Sequence, residues 1–203
     1  MKQLTACIAL IVLLASCSVD PKKVIVLSQG SANIDTDKRT ITTSGTGHEE
    51  KTVLFHDQGN TELQVSSQVG AAKITLAEPG VYILNTKSDT IVGSYVNYTA
   101  PKTAVDKITD EEMRANIDSL QQIISGNVSA EKKTFFILPN KAVKVSSNSE
   151  AHVITPFHQM TSISTKKGEE PEVYRFYPIS EVRATMLKLK AMMGDEVPVN
   201  DPK

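Results

Sequence analysis

Glu78-Pro79-Gly80-Val81-Tyr82-Ile83-Leu84-Asn85 is the stretch on which the reading of this chain turns. Proline presets the backbone of a tight turn and glycine tolerates the positive φ that such a turn demands. The four apolar residues that follow are β-branched or bulky. Lys87-Ser88-Asp89 then supplies the next turn signal, so the run is too short for a helix and reads as a strand.

The same grammar repeats upstream. Short runs at 24–27, 39–43, 52–56, 62–66 and 73–76 are rich in Val, Ile, Thr and Leu, and a run at 90–98 follows. Turn residues separate them at Asp57-Gln58-Gly59-Asn60 and around Gly70. Val53 alternates with Phe55, Leu63 with Val65, and Ile74 with Leu76, which is the period-two pattern of half-buried strands. Seven such runs before residue 100 predict a β-sandwich. The sequence around Pro79-Gly80 and Tyr82 also resembles the late strand of immunoglobulin-like envelope modules, where a Pro-Gly turn leads into a strand with an inward Tyr. That resemblance implies an immunoglobulin-like portion over residues 24–100.

Ala100-Pro101 closes this section, because proline donates no ladder hydrogen bond and disfavours helix before it. Thr109 with Glu112 three residues later forms a capping box. Met113, Ile117, Leu120 and Ile124 follow at helical spacing, and Gly126 is placed to stop the helix. A second set of strands is expected at 134–138, 142–145, 152–155 and 173–177. A final helix is expected with Ser180 as its cap and Val182, Met186, Leu189 and Met193 as its apolar stripe. The expected fold is thus mainly β with two helices, with a smaller α+β portion over 101–193 and a disordered tail over 194–203.

The leader carries the most specific signal. Lys2 precedes a mostly apolar run from Leu4 to Ala15, too short to span a bilayer, which needs about 20 residues. Leu14-Ala15-Ser16-Cys17 resembles the lipobox of bacterial lipoproteins. The resemblance implies a cleaved signal peptide at 1–16, lipidation of Cys17 (palmitate among the acyl chains) and a tether over 17–23. Ser18 after Cys17 implies delivery to the outer membrane. Of the 2 cysteines in the chain, the resemblance implies that Cys7 leaves with the leader and Cys17 is acylated. No thiol remains for a disulfide, a metal site or a nucleophile.

Composition bounds the rest. The 203 residues carry 22 basic and 23 acidic groups, so no basic field favours nucleic acid. The 4 histidines are His48, His56, His152 and His158, and their spacing matches no zinc-binding pair. Asn33-x-Asp35-x-Asp37 starts like a calcium loop, but Lys38 and Ser44 stand where Gly and Glu are needed. It reads as a loop capped by Asx hydrogen bonds. Glu49/Glu50 and Glu169/Glu170 read as solvated surface. No nucleophile elbow, phosphate loop or dinucleotide fingerprint occurs, so neither a catalytic residue nor a cofactor or metal site is assigned. The expectation is a lipid-anchored envelope protein with a non-catalytic binding or accessory role toward a protein or glycan. The alternative is a small-ligand carrier or hydrolase, with a site lined by His152, His158 and nearby tyrosines.

Overall fold

The computed structural model describes residues 20–97, 109–129, 131, 133–157 and 170–194. Met1, the lipobox with Cys17, Ser18, Tyr98, Pro101, His158 and the tail beyond Gly194 lie outside the described residues. Among the described residues the chain is mainly β with two helices and two sheets.

In chain order the strands are β1 (Lys22–Asp35), β2 (Thr40–Phe55), β3 (Thr61–Ser67), β4 (Gly70–Leu76), β5 (Gly80–Asn85) and β6 (Ile91–Tyr95). Helix α1 (Asp110–Ile124) follows, then β7 (Thr134–Ile137), β8 (Lys141–Ser146), β9 (His152–Ile154), β10 (Val173–Pro178) and helix α2 (Ile179–Met192). The first sheet runs β4-β3-β2-β1-β5-β8 and the second β7-β6-β10-β9. Each sheet therefore takes strands from both sides of Pro101.

The long β1–β2 hairpin organises the first sheet. Its register is regular from Lys22↔Phe55 to Gln29↔His48, then shifts to Ser31↔Ser44. Gly30, Gly45 and Gly47 lie at this irregularity, all with positive φ (77°, 91° and 98°). Such values are strained for any residue with a Cβ. The hairpin bends there, and its tip pairs with β3 through Thr40↔Gln64 to Thr42↔Ser66.

The bend turns one sheet into two layers. Ile41, Leu63, Val65, Ile74 and Leu76 from the tip, β3 and β4 pack against Val24, Val26, Phe55, Tyr82 and Leu84 from the base. On its other face the base presents Ile25, Leu27, Val81, Ile83 and Val145 to Ile91, Phe135, Ile137, Tyr174 and Phe176 of the second sheet. Strands β1 and β5 are thus covered on both faces. Their sequences accordingly run continuously apolar, Val24-Ile25-Val26-Leu27 and Val81-Tyr82-Ile83-Leu84, instead of alternating. The outer face of the second sheet is covered by the helices, through Val92, Ile179 and Val182 with Leu120, Ile123 and Phe136.

Polar groups close the ends of these layers. Lys22 is 1% exposed and its ammonium donates to the carbonyls of Asp57 (2.9 Å) and Gly59 (2.7 Å), holding the β2–β3 turn. At the opposite end Asn140 accepts from the Ser67 hydroxyl (2.8 Å) and donates to the Gly70 carbonyl (3.0 Å), joining the β3–β4 turn to the start of β8.

Four local expectations change. The runs at 39–43 and 52–56 belong to one strand, β2, so the seven early runs give six strands. Strand β1 begins at Lys22, before the Val24 boundary, and Lys22 and Lys23 belong to the fold and not to a tether. Asn33 and Asp35 finish β1 instead of lying in a loop, while the expected Asx cap is present, the Asp35 carboxylate accepting the Lys38 N–H at 2.9 Å. Ser180 does not cap α2: the N-cap is Pro178, and the Ser180 hydroxyl donates to Asp89 at 2.8 Å. Helix α1 has the expected capping box, with Thr109 and Glu112 bonded reciprocally at 3.2 and 2.9 Å.

Candidate functional site

Period-two alternation determines what the base of the β1–β2 hairpin offers to the second sheet. Thr52 pairs with Ile25, Glu50 with Leu27 and His48 with Gln29. Paired residues share a face, so Thr52, Glu50 and His48 look the same way as Ile25 and Leu27, toward the second sheet. There the edge strand β9 and the residues after it pass beside β2. A cleft of about 380 Å³ opens between them, lined by Lys23, Ile25, Glu50, Thr52, Ala151, His152, Val153 and Thr155.

The cleft is bounded by specific contacts. The Thr155 hydroxyl donates to the Glu50 carboxylate. Two residues on, the Phe157 ring stacks on His48 with centroids 4.3 Å apart and planes 10° apart. The Lys87 ammonium sits 4.1 Å from the Phe157 centroid. Lys87 is buried, and burial lowers its pKa while Glu50 and Asp89 pull it back up. No salt bridge joins Lys23 to a described residue.

The expected histidine-and-tyrosine grouping is only partly assembled. His152 lines the cleft, and His158 lies outside the described residues. His152 pairs with Val173 whereas Tyr174 pairs with Val153, so His152 and Tyr174 face opposite sides of their sheet. Tyr174 is a core residue, 2% exposed. Its hydroxyl donates to Glu172 at 2.5 Å, and Glu172 also accepts from Ser146 at 3.0 Å. Burial and then this carboxylate push the Tyr174 phenol well above its ordinary value. Tyr95 meets Tyr174 edge-on at 5.9 Å. Tyr177 lines a separate apolar pocket of about 220 Å³ between the helices and β6, with Leu120, Ile123 and Val182.

A second concavity lies on the outward face of the hairpin tip. Ile41, Leu63 and Val65 point into the core, so Thr40, Thr42, Gln64 and Ser66 point out. With Arg39, Glu62 and Lys73 they line an open groove of about 570 Å³. Its charges are paired at the rim, Arg39 with Asp57 at 3.0 Å and Lys73 with Glu62 at 2.8 Å. The floor is left as hydroxyls and an amide set among the small apolar residues Val65, Ala71 and Ala72.

Among the described residues no cluster of three or more His, Cys, Asp or Glu is arranged to hold a metal ion. No described helix is long and apolar enough to cross a membrane. Sequence reasoning singled out His152 but not Lys23, Thr52 or Thr155, whose types carry no signal of their own. It read Glu50 with Glu49 as solvated surface, yet adjacent strand residues face opposite sides and these two do different things. No protein-family model matches the chain, and no curated protein or solved structure does.

Proposed function

We propose that this chain is a lipid-anchored bacterial envelope protein with a non-catalytic binding or accessory role toward a protein or glycan. The observation that carries the binding role is the open groove on the hairpin tip, about 570 Å³ and floored by Thr40, Thr42, Gln64 and Ser66. Neutral hydroxyl and amide groups interleaved with small apolar side chains suit a hydroxylated partner surface that also presents C–H faces. The Leu14-Ala15-Ser16-Cys17 leader supports the anchor. Acyl chains on Cys17 confine the domain to a surface and raise its effective concentration near envelope partners.

An immunoglobulin-like relationship for the sandwich is part of the proposal. It is supported by Tyr82, whose hydroxyl donates back to the Glu78 carbonyl at 2.7 Å, the arrangement of a tyrosine corner. The parallel pairings β1–β5, β2–β3 and β9–β10 are departures from an all-antiparallel sandwich.

The test is isolation in mild detergent followed by mass spectrometry of the N-terminal peptide and of co-purifying material. The expected result is an acylated Cys17 and a stoichiometric partner lost on Gln64→Ala with Thr42→Ala. An unmodified N-terminus would overturn the anchor. A partner retained by the double variant would overturn the groove.

A second reading, a small-ligand carrier or hydrolase near His152 and His158, is favoured by one observation. The cleft beside His152 brings Lys23, Glu50 and two threonine hydroxyls to one space.

A further inference from the structure

We infer that the outward face of the C-terminal part of α2 rests on an anionic phospholipid surface, as a second membrane contact beside the Cys17 acyl chains. The inference goes beyond the binding role and rests on the anchor reading above.

Helical geometry sorts α2 into two sides. Ile179 and Val182 are buried, and Met186 and Leu189 half-buried, on the side that packs. Arg183, Leu187 and Ala191 form one outward row at i, i+4 spacing, and Ala184, Lys188 and Met192 form the row beside it. All six are exposed. An outward helix face is ordinarily polar. This one carries Leu187 at 43% exposure and Met192 at 73%, the most exposed large apolar side chain among the described residues. Its charges are of one sign. Glu181, in the first turn, is the one acid of the helix, and Arg183, Lys188 and Lys190 follow it. None of the three forms a salt bridge with a described residue. Apolar side chains that enter the acyl boundary beside cations that meet phosphates are the two requirements of an interfacial helix.

The topology brings this face to the end at which the chain enters. Lys22 pairs with Gly80 and Val81 with Ser146. The Ser146 hydroxyl donates to Glu172 at 3.0 Å, just before β10 begins. Lys22 and the start of β10 therefore share one end of the layers. Helix α2 leaves from the other end, where the Ile179 N–H donates to the Thr90 carbonyl at 2.9 Å. It runs back over β6, where Val182 and Thr185 line the apolar pocket with Val92 and Ser94, and its last turns approach the Lys22 end. Lys22 is five residues after Cys17, a reach of at most about 18 Å. An acylated Cys17 holds that end near a bilayer and makes a weak helix contact local.

The experiment uses the acylated full-length protein in vesicles of phosphatidylcholine alone, or of equal parts phosphatidylcholine and phosphatidylglycerol. With Cys17 acylated, Met192→Cys gives a single thiol for a spin label, and Ser88→Cys places a control at the far end, in the exposed β5–β6 turn. Collision with a water-soluble nickel chelate reads immersion. On mixed vesicles the label at 192 is expected to lose nickel accessibility at least threefold while the label at 88 keeps its own. Arg183→Glu with Lys188→Glu is expected to return the label at 192 to water. Both residues are exposed and outside any salt bridge with a described residue, so this variant is expected to fold. A label at 192 as open to nickel as the label at 88 on mixed vesicles overturns the lipid contact and leaves the anchor standing. Equal shielding on neutral and mixed vesicles overturns the anionic preference and with it the proposal. Shielding that appears only with a co-purifying protein assigns the face to that protein instead. If the N-terminal peptide carries no acyl chain, the anchor reading falls by itself. The contact is then read by co-sedimentation of the unanchored full-length chain with the same vesicles: binding to mixed vesicles that the double variant loses sustains it, and absence of binding overturns it.

Discussion

Glu49 accepts the backbone N–H of Ala32 at 2.5 Å, across the bend of the long hairpin. Lys51 donates to the carbonyl of the same Ala32 and pairs with Glu49 at 3.2 Å. Two side chains of the hairpin base thus hold the two peptide groups that flank Ala32 in its tip. The Ala32 N–H is the main cause that holds the Glu49 carboxyl below its ordinary 4.5, with Lys51 adding to it. A depressed carboxylate contributes stability above its unfolded value and loses it as pH falls through the folded value. Urea midpoints of the wild type and Glu49→Gln should therefore differ at neutral pH and converge as the pH is taken below 4.5 and through the lowered value. A difference that persists at low pH would mean that the charge is not what holds the bend.

The bend also makes a distinction among glycines. A Cβ on Gly30 would collide with the Ser44 carbonyl, whereas Cβ atoms on Gly45 and Gly47 meet open space. Gly45→Ala should cost about 1 kcal/mol, the penalty of the left-handed conformation alone. Gly30→Ala should cost more than about 2 kcal/mol, because a backbone oxygen cannot rotate away. Thermal denaturation of the two variants measures the gap.

Tyr82 tests the corner that opens β5. The side chain is 6% exposed, and its hydroxyl also accepts the Glu78 N–H at 3.3 Å. Tyr82→Phe keeps the ring and removes both bonds, and it should lower unfolding free energy by about 1–1.5 kcal/mol. Chemical denaturation gives that number directly.

Lys22 is the sharper case. Replacing it by Met preserves the stem and removes the donor that satisfies the carbonyls of Asp57 and Gly59. Two carbonyls of a largely exposed turn then lose a charged donor that water replaces only in part, at a cost of about 1–2 kcal/mol. Amide exchange in the turn at residues 57–60 should rise in Lys22→Met well beyond its rise elsewhere. Uniform acceleration would point to general destabilisation instead.

How far the sequence discloses this architecture depends on burial. Strands β1, β3, β4 and β5 are legible because each packs at least one face on apolar neighbours, and period or continuity follows from that. The centre of β2 is not. Residues 44–48 are exposed, so nothing imposes an apolar rhythm, and two glycines in a polar run look like a loop. The bend is therefore invisible, and with it the fact that one sheet forms two layers. The same exposure hides the site. Glu49 and Glu50 look alike in sequence, but the pleat sends one to Ala32 and the other to Thr155. Lys23 stands next to Lys22, and only the fold separates a buried structural cation from one that lines a cleft.

Because successive side chains of β1 and β5 point to opposite faces, the same two strands belong to both inter-layer cores. Neither core can be dissolved without dragging on the covalent chain that builds the other. The outer layer is consequently no detachable lid: the β-layers are wired to melt as one cooperative block, with the helices alone free to fray first.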